Sequence, residues 1–288
     1  METQESEFKS TDGLKLFYRR WSKAGAKPKR LVVAVHGFAD HTNRMPWLIP
    51  DFVDNGALVY GYDQRGNGKS DGKRGHIMAY SELVNDLDTF LREVVDRDPE
   101  VKGLERVLFS HSTGGILALT YMLEHPGAFD RAVLSAPALI LAVKAPGWKK
   151  AMGNLLSGLA PTVTLDAGYT SKTLSRDPEF LASTDADPLI THDISTRFYK
   201  EVYVTAAPAA MARISELKVP FFYIHGGADP LIDVAVAEEF RKHATAPHEI
   251  VIMPGSLHEW FNDIDRDKGF AQMNAWLEAP VKAAVAAH

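Results

Sequence analysis

Six short β-rich runs alternate with helical patterns along this chain, and this alternation limits the fold more than any other feature of the sequence. Each run is too short for a buried helix and ends at a turn-forming cluster. Such runs are typical of buried parallel strands joined by crossover helices, so we predict an α/β fold on a mostly parallel sheet. The runs are Leu31–Val35, Ala57–Tyr62, Arg106–Ser110, Ala132–Ala136, Pro220–His225 and Glu249–Met253.

The segments around these runs refine the prediction. Leu83, Leu87 and Phe90 fall on one face at helical spacing, which predicts a crossover helix. The alternating residues of Gly13–Arg20 predict an antiparallel hairpin arm at the edge of the sheet.

The alternation of strands and helices stops between residues 137 and 217, where apolar helical stretches flank a polar loop. This segment follows one strand and precedes another, and it leaves the first of them at the carboxyl edge of the sheet. Ligand sites of α/β proteins form at that edge. We therefore predict a cap over residues 137–217 and a core built from residues 1–136 and 218–288.

Composition excludes several classes of function. The chain has no cysteine, which removes disulfides, thiolate metal sites and a cysteine nucleophile. The net charge of -5 argues against a nucleic-acid partner, because phosphate binding needs clustered Lys and Arg. The first ten residues lack the basic and apolar stretches of a signal peptide, and no apolar run approaches the roughly 18 residues of a membrane span. We therefore expect a cytoplasmic protein.

A serine stands between a predicted strand and a predicted helix. The run at Arg106 leads into the segment Ser110–Gly115, and a helical pattern follows at once. A strand, a sharp turn and a helix with Ser112 at the apex are the context of the G-x-S-x-G nucleophile motif, although Ser110 replaces its first glycine. The alternative interpretation is a helix start that Ser112 merely caps.

A serine nucleophile needs a general base, and that base needs an orienting carboxylate. Asp229 lies in a tight loop after the run that ends at His225, and His258 lies in the loop after the next run. Two neighbouring strands thus bring an acid and a base to the edge that carries Ser112, in the order Ser, Asp, His. The alternatives are a turn in which Asp229 caps the following helix, and a histidine with a structural role only.

Two backbone N–H groups at the same edge suit an oxyanion. The first run ends in His36-Gly37-Phe38, so the N–H groups of Phe38 and Thr113 are the natural pair of donors. The alternative for His36-Gly37 is a plain turn.

Two other motifs fail. The stretch Gly66–Ser70 ends in Gly-Lys-Ser, but Asp63 stands where a phosphate-binding loop requires glycine. His258-Glu259 lacks the second histidine of a zinc-binding H-E-x-x-H helix. We therefore predict neither a cofactor nor a metal.

With Ser112, Asp229 and His258 in place, the chain resembles the α/β-hydrolase superfamily, and within it the monoacylglycerol lipase and lysophospholipase-like branch of serine aminopeptidase S33 type. The resemblance covers about Leu14 to Leu277. Its markers are His36–His41, Asp63–Gly72, the Ser112 turn, Asp187–Leu189 and the Asp229 and His258 loops.

The resemblance implies a doubly wound, mostly parallel, eight-stranded sheet with a helical cap inserted after strand 6. It also implies that Ser112, Asp229 and His258 form a catalytic triad, that Phe38 and Thr113 form the oxyanion hole, and that the cap covers an acyl-chain tunnel. The implied reaction is cleavage of carboxylic esters, above all monoacylglycerols or lysophospholipids, through an acyl-enzyme on Ser112.

The partner is therefore expected to be a small ester or lipid substrate. Apolar cap residues are candidates for binding it, for transient contact with a membrane surface, or for packing against the core. The candidate substrate-binding residues are Leu139, Leu141, Trp148 and Leu156. Alternatives are a general carboxylesterase or lactonase of the same fold, and a catalytically silent relative that acts as a binding protein. The sequence leaves the oligomeric state open.

Overall fold

One mixed sheet lies at the centre of the computed structural model, which describes residues 1–143 and 157–280. The strands in this part of the chain are β1 (Glu2–Lys9), β2 (Lys15–Ser22), β3 (Arg30–Val35), β4 (Ala57–Tyr62), β5 (Glu105–His111), β6 (Arg131–Ser135), β7 (Thr164–Asp166), β8 (Asp193–Ser195), β9 (Phe221–Gly226) and β10 (His248–Met253). Eight of these described strands form the sheet in the order β1-β2-β4-β3-β5-β6-β9-β10. The predicted eight-stranded, mostly parallel fold is confirmed.

The amino-terminal hairpin is the antiparallel part of the sheet. β2 pairs antiparallel with both β1 and β4, whereas β3 to β10 in the central sheet pair in parallel. The predicted antiparallel arm is β2, but β1 occupies the edge. β1 gave no apolar pattern in the sequence because Phe8 is its one buried residue.

Helices cover both faces of the sheet. They are α1 (Leu48–Asp54), α2 (Tyr80–Phe90), α3 (Thr113–Glu124), α4 (Ser171–Leu174), α5 (Pro178–Asp185), α6 (Thr196–Tyr199), α7 (Ala207–Ala212), α8 (Ala235–His243) and α9 (Arg266–Glu278). Wider π-helical turns continue α2 over Leu91–Val95 and α6 over Lys200–Ala206. The predicted crossover helix is thus α2 with its π-helical extension.

Alternate residues of β3 enter two separate apolar cores, as the period of two in a strand requires. Leu31, Val33 and Val35 pack with residues of α2, α3 and α8 on one face. Val32 and Ala34 pack with α1 and α9 on the other face. Each fully buried Leu or Val contributes roughly 1.5–3 kcal/mol, so a register shift of β3 by one residue would disrupt both cores.

Between β6 and β9 the chain leaves the sheet and forms α4 to α7 and the small antiparallel pair β7 and β8. This segment is held to the loops of the sheet at several points. The Ser195 N–H donates to the Gly75 carbonyl over 2.9 Å, and His41 Nε2 lies 2.9 Å from Asp187 Oδ2. The division into a cap over 137–217 and a core remains a prediction, and Trp148 and Leu156 lie outside the described residues.

No helix in the ranges 1–143 and 157–280 is both long enough and apolar enough to cross a membrane.

Candidate active site

Ser112 lies at a strained turn between β5 and α3. Its φ of 53° and ψ of -120° form a conformation that costs a residue with a side chain about 1–3 kcal/mol. The surrounding chain leaves no room to relax. A Cβ at Gly114 would lie 2.4 Å from the His36 carbonyl oxygen, and one at Gly115 would lie 2.6 Å from Cβ of Pro137. Close packing therefore holds the serine at the apex, and the turn needs both glycines.

The serine at position 110 fits the turn. Ser110 is fully buried, and its Oγ has no hydrogen-bond partner among the described residues. A buried hydroxyl without a partner costs about 1–3 kcal/mol. The departure from glycine is therefore expected to lower the stability of the turn.

Asp229 and His258 meet at the carboxyl ends of β9 and β10. These strands pair in parallel with Gly226 opposite Met253, so the two following loops start side by side. His258 Nδ1 lies 2.6 Å from Asp229 Oδ2. The other oxygen, Oδ1, accepts the N–H groups of Leu231 and Ile232 over 2.8 and 3.1 Å. Asp229 thus holds its own loop with one oxygen and the histidine with the other.

The contact between Asp229 and His258 shifts the pKa values of both side chains. Burial alone would raise the pKa of Asp229, but the imidazoles of His258 and His225 outweigh it and hold that pKa well below its ordinary value. Burial alone would lower the pKa of His258, but the charge and hydrogen bond of Asp229 raise it above its ordinary value. The contact with Asp229 places a proton on Nδ1 of His258, which leaves Nε2 as the basic nitrogen.

Ser112 and His258 line the same cavity, which has a volume of about 500 Å³. The turn at Gly37 lies against the serine, because a Cβ at Gly37 would come within 3.1 Å of Ser112 Cβ. Buried His36 fixes this turn, since its Nδ1 lies 2.8 Å from the Gly37 carbonyl oxygen and its Nε2 accepts the N–H of Gln64 over 2.9 Å. The predicted nucleophile and base therefore face one space.

The two predicted oxyanion donors flank Ser112. Phe38 lines the cavity, and Thr113 begins α3. Neither backbone N–H donates a hydrogen bond in the part of the chain that the structure describes. The Thr113 hydroxyl lies 2.7 Å from the hydroxyl of Tyr203, which belongs to the segment between β6 and β9. Burial raises the pKa of Tyr203 to about 12, so this phenol keeps its proton.

Most of the cavity wall is apolar. Of the predicted substrate-binding residues, Leu141 lies in the wall. Leu139 does not, because it is buried in the apolar core instead. Trp148 and Leu156 fall outside the described ranges. The larger aliphatic side chains of the wall are Leu141, Val143, Leu165, Leu174, Ile190, Ile194, Val204, Leu231 and Ile232.

A cluster of charged side chains interrupts this wall. Arg44 Nε lies 2.8 Å from Asp40 Oδ1, and Arg44 Nη2 lies 3.3 Å from Glu259 Oε1. Nη1 of Arg44 donates a hydrogen bond to the Thr184 hydroxyl over 2.7 Å. Asp40 Oδ2 is buried without a partner among the described residues. Burial and the nearby Asp40 charge outweigh Arg44 and raise the pKa of Glu259.

This cluster and one further residue were not predicted from the sequence. Asp40 and Arg44 stand four residues apart in a loop, and Glu259 follows the predicted base directly, so these spacings were the available signals. The other residue is His225, whose Nε2 lies 3.0 Å from Asp229 Oδ2. The sequence feature that could have identified His225 is its position at the end of the strand that leads to Asp229. No three His, Asp or Glu side chains converge as metal ligands within residues 1–143 and 157–280.

The sequence of this chain is similar to those of known proteins. The family described as serine aminopeptidase, S33, matches residues 26–265. The chain is 29% identical to the monoacylglycerol lipase of Mycolicibacterium smegmatis over 95% of this chain and 96% of that protein. It is 26% identical to the phospholipase YtpA of Bacillus subtilis over 90% of this chain and 98% of that protein.

The fold is similar to that of a solved structure. The crystal structure of Paleococcus ferrophilus monoacylglycerol lipase superimposes with a TM-score of 0.78 and 27% identity. The match covers 96% of this chain and 98% of that one.

Proposed function

We propose that this chain, which belongs to the serine aminopeptidase S33 family of α/β-hydrolases, hydrolyses monoacylglycerols through an acyl-enzyme on Ser112. The chain is a serine hydrolase of the branch that holds monoacylglycerol lipases and lysophospholipases. One observation supports the proposed chemistry most strongly. His258, which Asp229 holds over 2.6 Å, lines the same cavity as Ser112 at its strained turn.

In the proposed reaction, Nε2 of His258 takes the proton of Ser112 as Oγ attacks the ester carbonyl carbon. The resulting oxyanion accepts hydrogen bonds from the N–H groups of Phe38 and Thr113. As the tetrahedral intermediate collapses, the carbon–oxygen bond to the alcohol breaks, and His258 protonates the departing oxygen. Water, deprotonated by His258, then attacks the acyl carbon, releases the carboxylic acid and restores Ser112.

The charged cluster in the wall favours a neutral alcohol group. Two carboxylates surround one guanidinium, and the donors of Arg44 are engaged by Asp40, Glu259 and Thr184. Asp40, Arg44 and Glu259 all line the cavity, so a substrate there lies beside a cluster in which carboxylates outnumber the guanidinium. A phosphate placed here would meet uncompensated negative charge, and such like-charge contact costs several kcal/mol. A glycerol group with free hydroxyls therefore fits better than the headgroup of an anionic lysophospholipid.

The remaining wall suits an acyl chain. Its aliphatic side chains and the cavity volume of about 500 Å³ are typical of a site that buries most of a small apolar ligand. Transfer of each methylene from water into such a site contributes about 0.8 kcal/mol. The proposed substrate thus carries an alkyl chain long enough to extend from Ser112 along this wall.

We also propose transient contact of the segment 137–217 with a lipid surface. Among the described residues, five of the nine exposed large apolar side chains belong to this segment. They are Val143, Leu159, Val163, Leu165 and Val204. Replacement of Leu159 and Val163, two of these exposed side chains, by serine should weaken binding to phosphatidylcholine vesicles in a flotation assay. Unchanged binding would disprove the contact.

The test of the proposed function is hydrolysis of a panel of substrates by the wild type and by Ser112→Ala. The panel combines monoacylglycerols of increasing chain length, p-nitrophenyl esters, and lysophosphatidic acid as the anionic member. We expect the highest kcat/KM for monoacylglycerols, weak cleavage of lysophosphatidic acid, and no turnover by Ser112→Ala. An optimum at short p-nitrophenyl esters would favour a general carboxylesterase. A folded wild type with no turnover would favour a binding protein.

A further inference from the structure

A second histidine contacts the carboxylate that holds His258. Tyr223 and His225 are two residues apart on β9, so their side chains share one face of the strand. His225 Nδ1 lies 2.7 Å from the Tyr223 hydroxyl, and its Nε2 lies 3.0 Å from Asp229 Oδ2. The same Oδ2 is 2.6 Å from His258 Nδ1. Two imidazoles therefore share a single carboxylate oxygen.

The direction of these hydrogen bonds follows from the phenol. Burial raises the pKa of Tyr223 well above its ordinary value, so its hydroxyl keeps its proton. The hydroxyl therefore donates to Nδ1 of His225, and the ring carries its proton on Nε2. His225 in turn donates this proton to Asp229. The side chains of His225 and Asp229 are both completely buried, so this hydrogen bond is shielded from solvent.

We propose that His225 is a positioning residue for the Ser112 reaction, which controls through Asp229 how strongly His258 holds its proton. This inference rests on the proposed function. Asp229 Oδ1 is already fixed by the N–H groups of Leu231 and Ile232, so orientation of the loop does not require His225. The donor of His225 goes to the oxygen that His258 uses. It stabilises the negative charge there and weakens the attraction of Asp229 for the imidazolium of His258.

Other charged groups also act on His258, and the two hydrogen bonds of His225 do not involve them. The rings of His258 and His111 are 4.6 Å apart, and burial, followed by the charge of His258, lowers the pKa of His111 well below its ordinary value. Asp40 and Glu259 also act on His258, and Arg44 lies between them. On the far side of Tyr223, Arg241 of α8 acts on the phenol. Any change in the titration of His258 can thus be assigned to the bond that was removed.

The experiment compares four variants of the full chain. His225→Ala removes the donor, His225→Gln restores a side-chain N–H at the place of Nε2, and Tyr223→Phe removes the phenol that fixes the ring. The exposed residue His243, which pairs with Glu239, provides the control His243→Ala. The titration of His258 is followed by NMR on protein labelled at histidine, and the pH profile of kcat/KM is measured in parallel.

We expect His225→Ala to raise the pKa of His258 by about one unit, because Asp229 then holds the proton more strongly. The acidic limb of kcat/KM should move by the same amount, which lowers the rate about tenfold below the new pKa. Tyr223→Phe should give a smaller shift in the same direction. His225→Gln and His243→Ala should titrate like the wild type.

A folded His225→Ala protein with the wild-type titration of His258 would overturn the proposal, and so would a shift that His225→Gln fails to reverse. A misfolded alanine variant leaves the test intact, because Tyr223→Phe must then show the shift on its own. The titration requires no turnover. A wild type that cleaves no ester would therefore disprove the proposed function while the coupling through His225 was still measured.

Discussion

Gly226→Ala should separate the geometry of the site from the stability of the fold. The Cβ of alanine at this position would lie 2.0 Å from the carbonyl oxygen of Leu257 and 2.5 Å from that of Ser256. Both atoms belong to the backbone of the loop that carries His258. Ordinary contact begins near 3.4 Å, so this loop must move away from β9 by roughly 1.4 Å.

That displacement acts directly on the 2.6 Å contact between His258 and Asp229. A misplacement of about 1 Å in a catalytic constellation costs about 100-fold in rate. We therefore expect kcat/KM for a p-nitrophenyl ester to fall at least about 100-fold. Overpacking of this kind costs about 1–3 kcal/mol of folding free energy, so the variant should still fold.

Gly103→Ala is the matched control. Gly103 has a φ of +77°, and a Cβ there meets nothing within 4 Å in the described part of the chain. The substitution strains the backbone by about 1–2 kcal/mol without touching the site. Thermal unfolding and kcat/KM are measured for both variants. Equal losses of activity in the two, or a kcat/KM of Gly226→Ala within about threefold of wild type, would refute the reasoning.

Three further predictions concern the same site. Because Asp229 raises the pKa of His258 above its ordinary value, the general base stays protonated to a higher pH than a free histidine, and kcat/KM should fall about tenfold per pH unit on the acidic side. An acidic limb at or below the pKa of a free histidine, about 6.5, would contradict this. Asp40→Asn removes negative charge from the wall, so the rate of cleavage of lysophosphatidic acid should rise about tenfold relative to that of monoacylglycerol. An unchanged ratio of the two rates would disprove the role given to this charge. Ser110→Ala removes a buried hydroxyl that has no partner among the described residues, and should therefore raise the free energy of unfolding by about 1 kcal/mol in urea titrations. A lower free energy of unfolding would show that the hydroxyl makes a hydrogen bond.

The central strands could be predicted because they carry their information locally. β3 is buried on both faces, so its sequence is a continuous apolar run that ends at a turn. β1 follows the opposite principle, since main-chain pairing with β2 holds it while most of its side chains remain exposed. A strand of this kind leaves little hydrophobic pattern to detect.

Some residues of the candidate site could be predicted from the local sequence, and others could not. Ser112, Asp229 and His258 each follow a strong strand, and parallel pairing brings such positions to one edge. Leu139 and Leu141 could not be distinguished, because the face of an irregular segment depends on its partners; the bridge between Leu141 and Ile232 sets it here. The contact of Arg44 with Glu259 joins residues far apart in sequence, so no local pattern records it.

A fluorophosphonate probe tests the covalent chemistry on Ser112 most directly. Intact mass and peptide mapping locate the adduct, and the rate of labelling reports on the general base. The account predicts a single adduct on Ser112, none on Ser112→Ala, and labelling of His258→Ala slowed by at least about 100-fold. An adduct on a different residue, or equal labelling of Ser112→Ala, would contradict it.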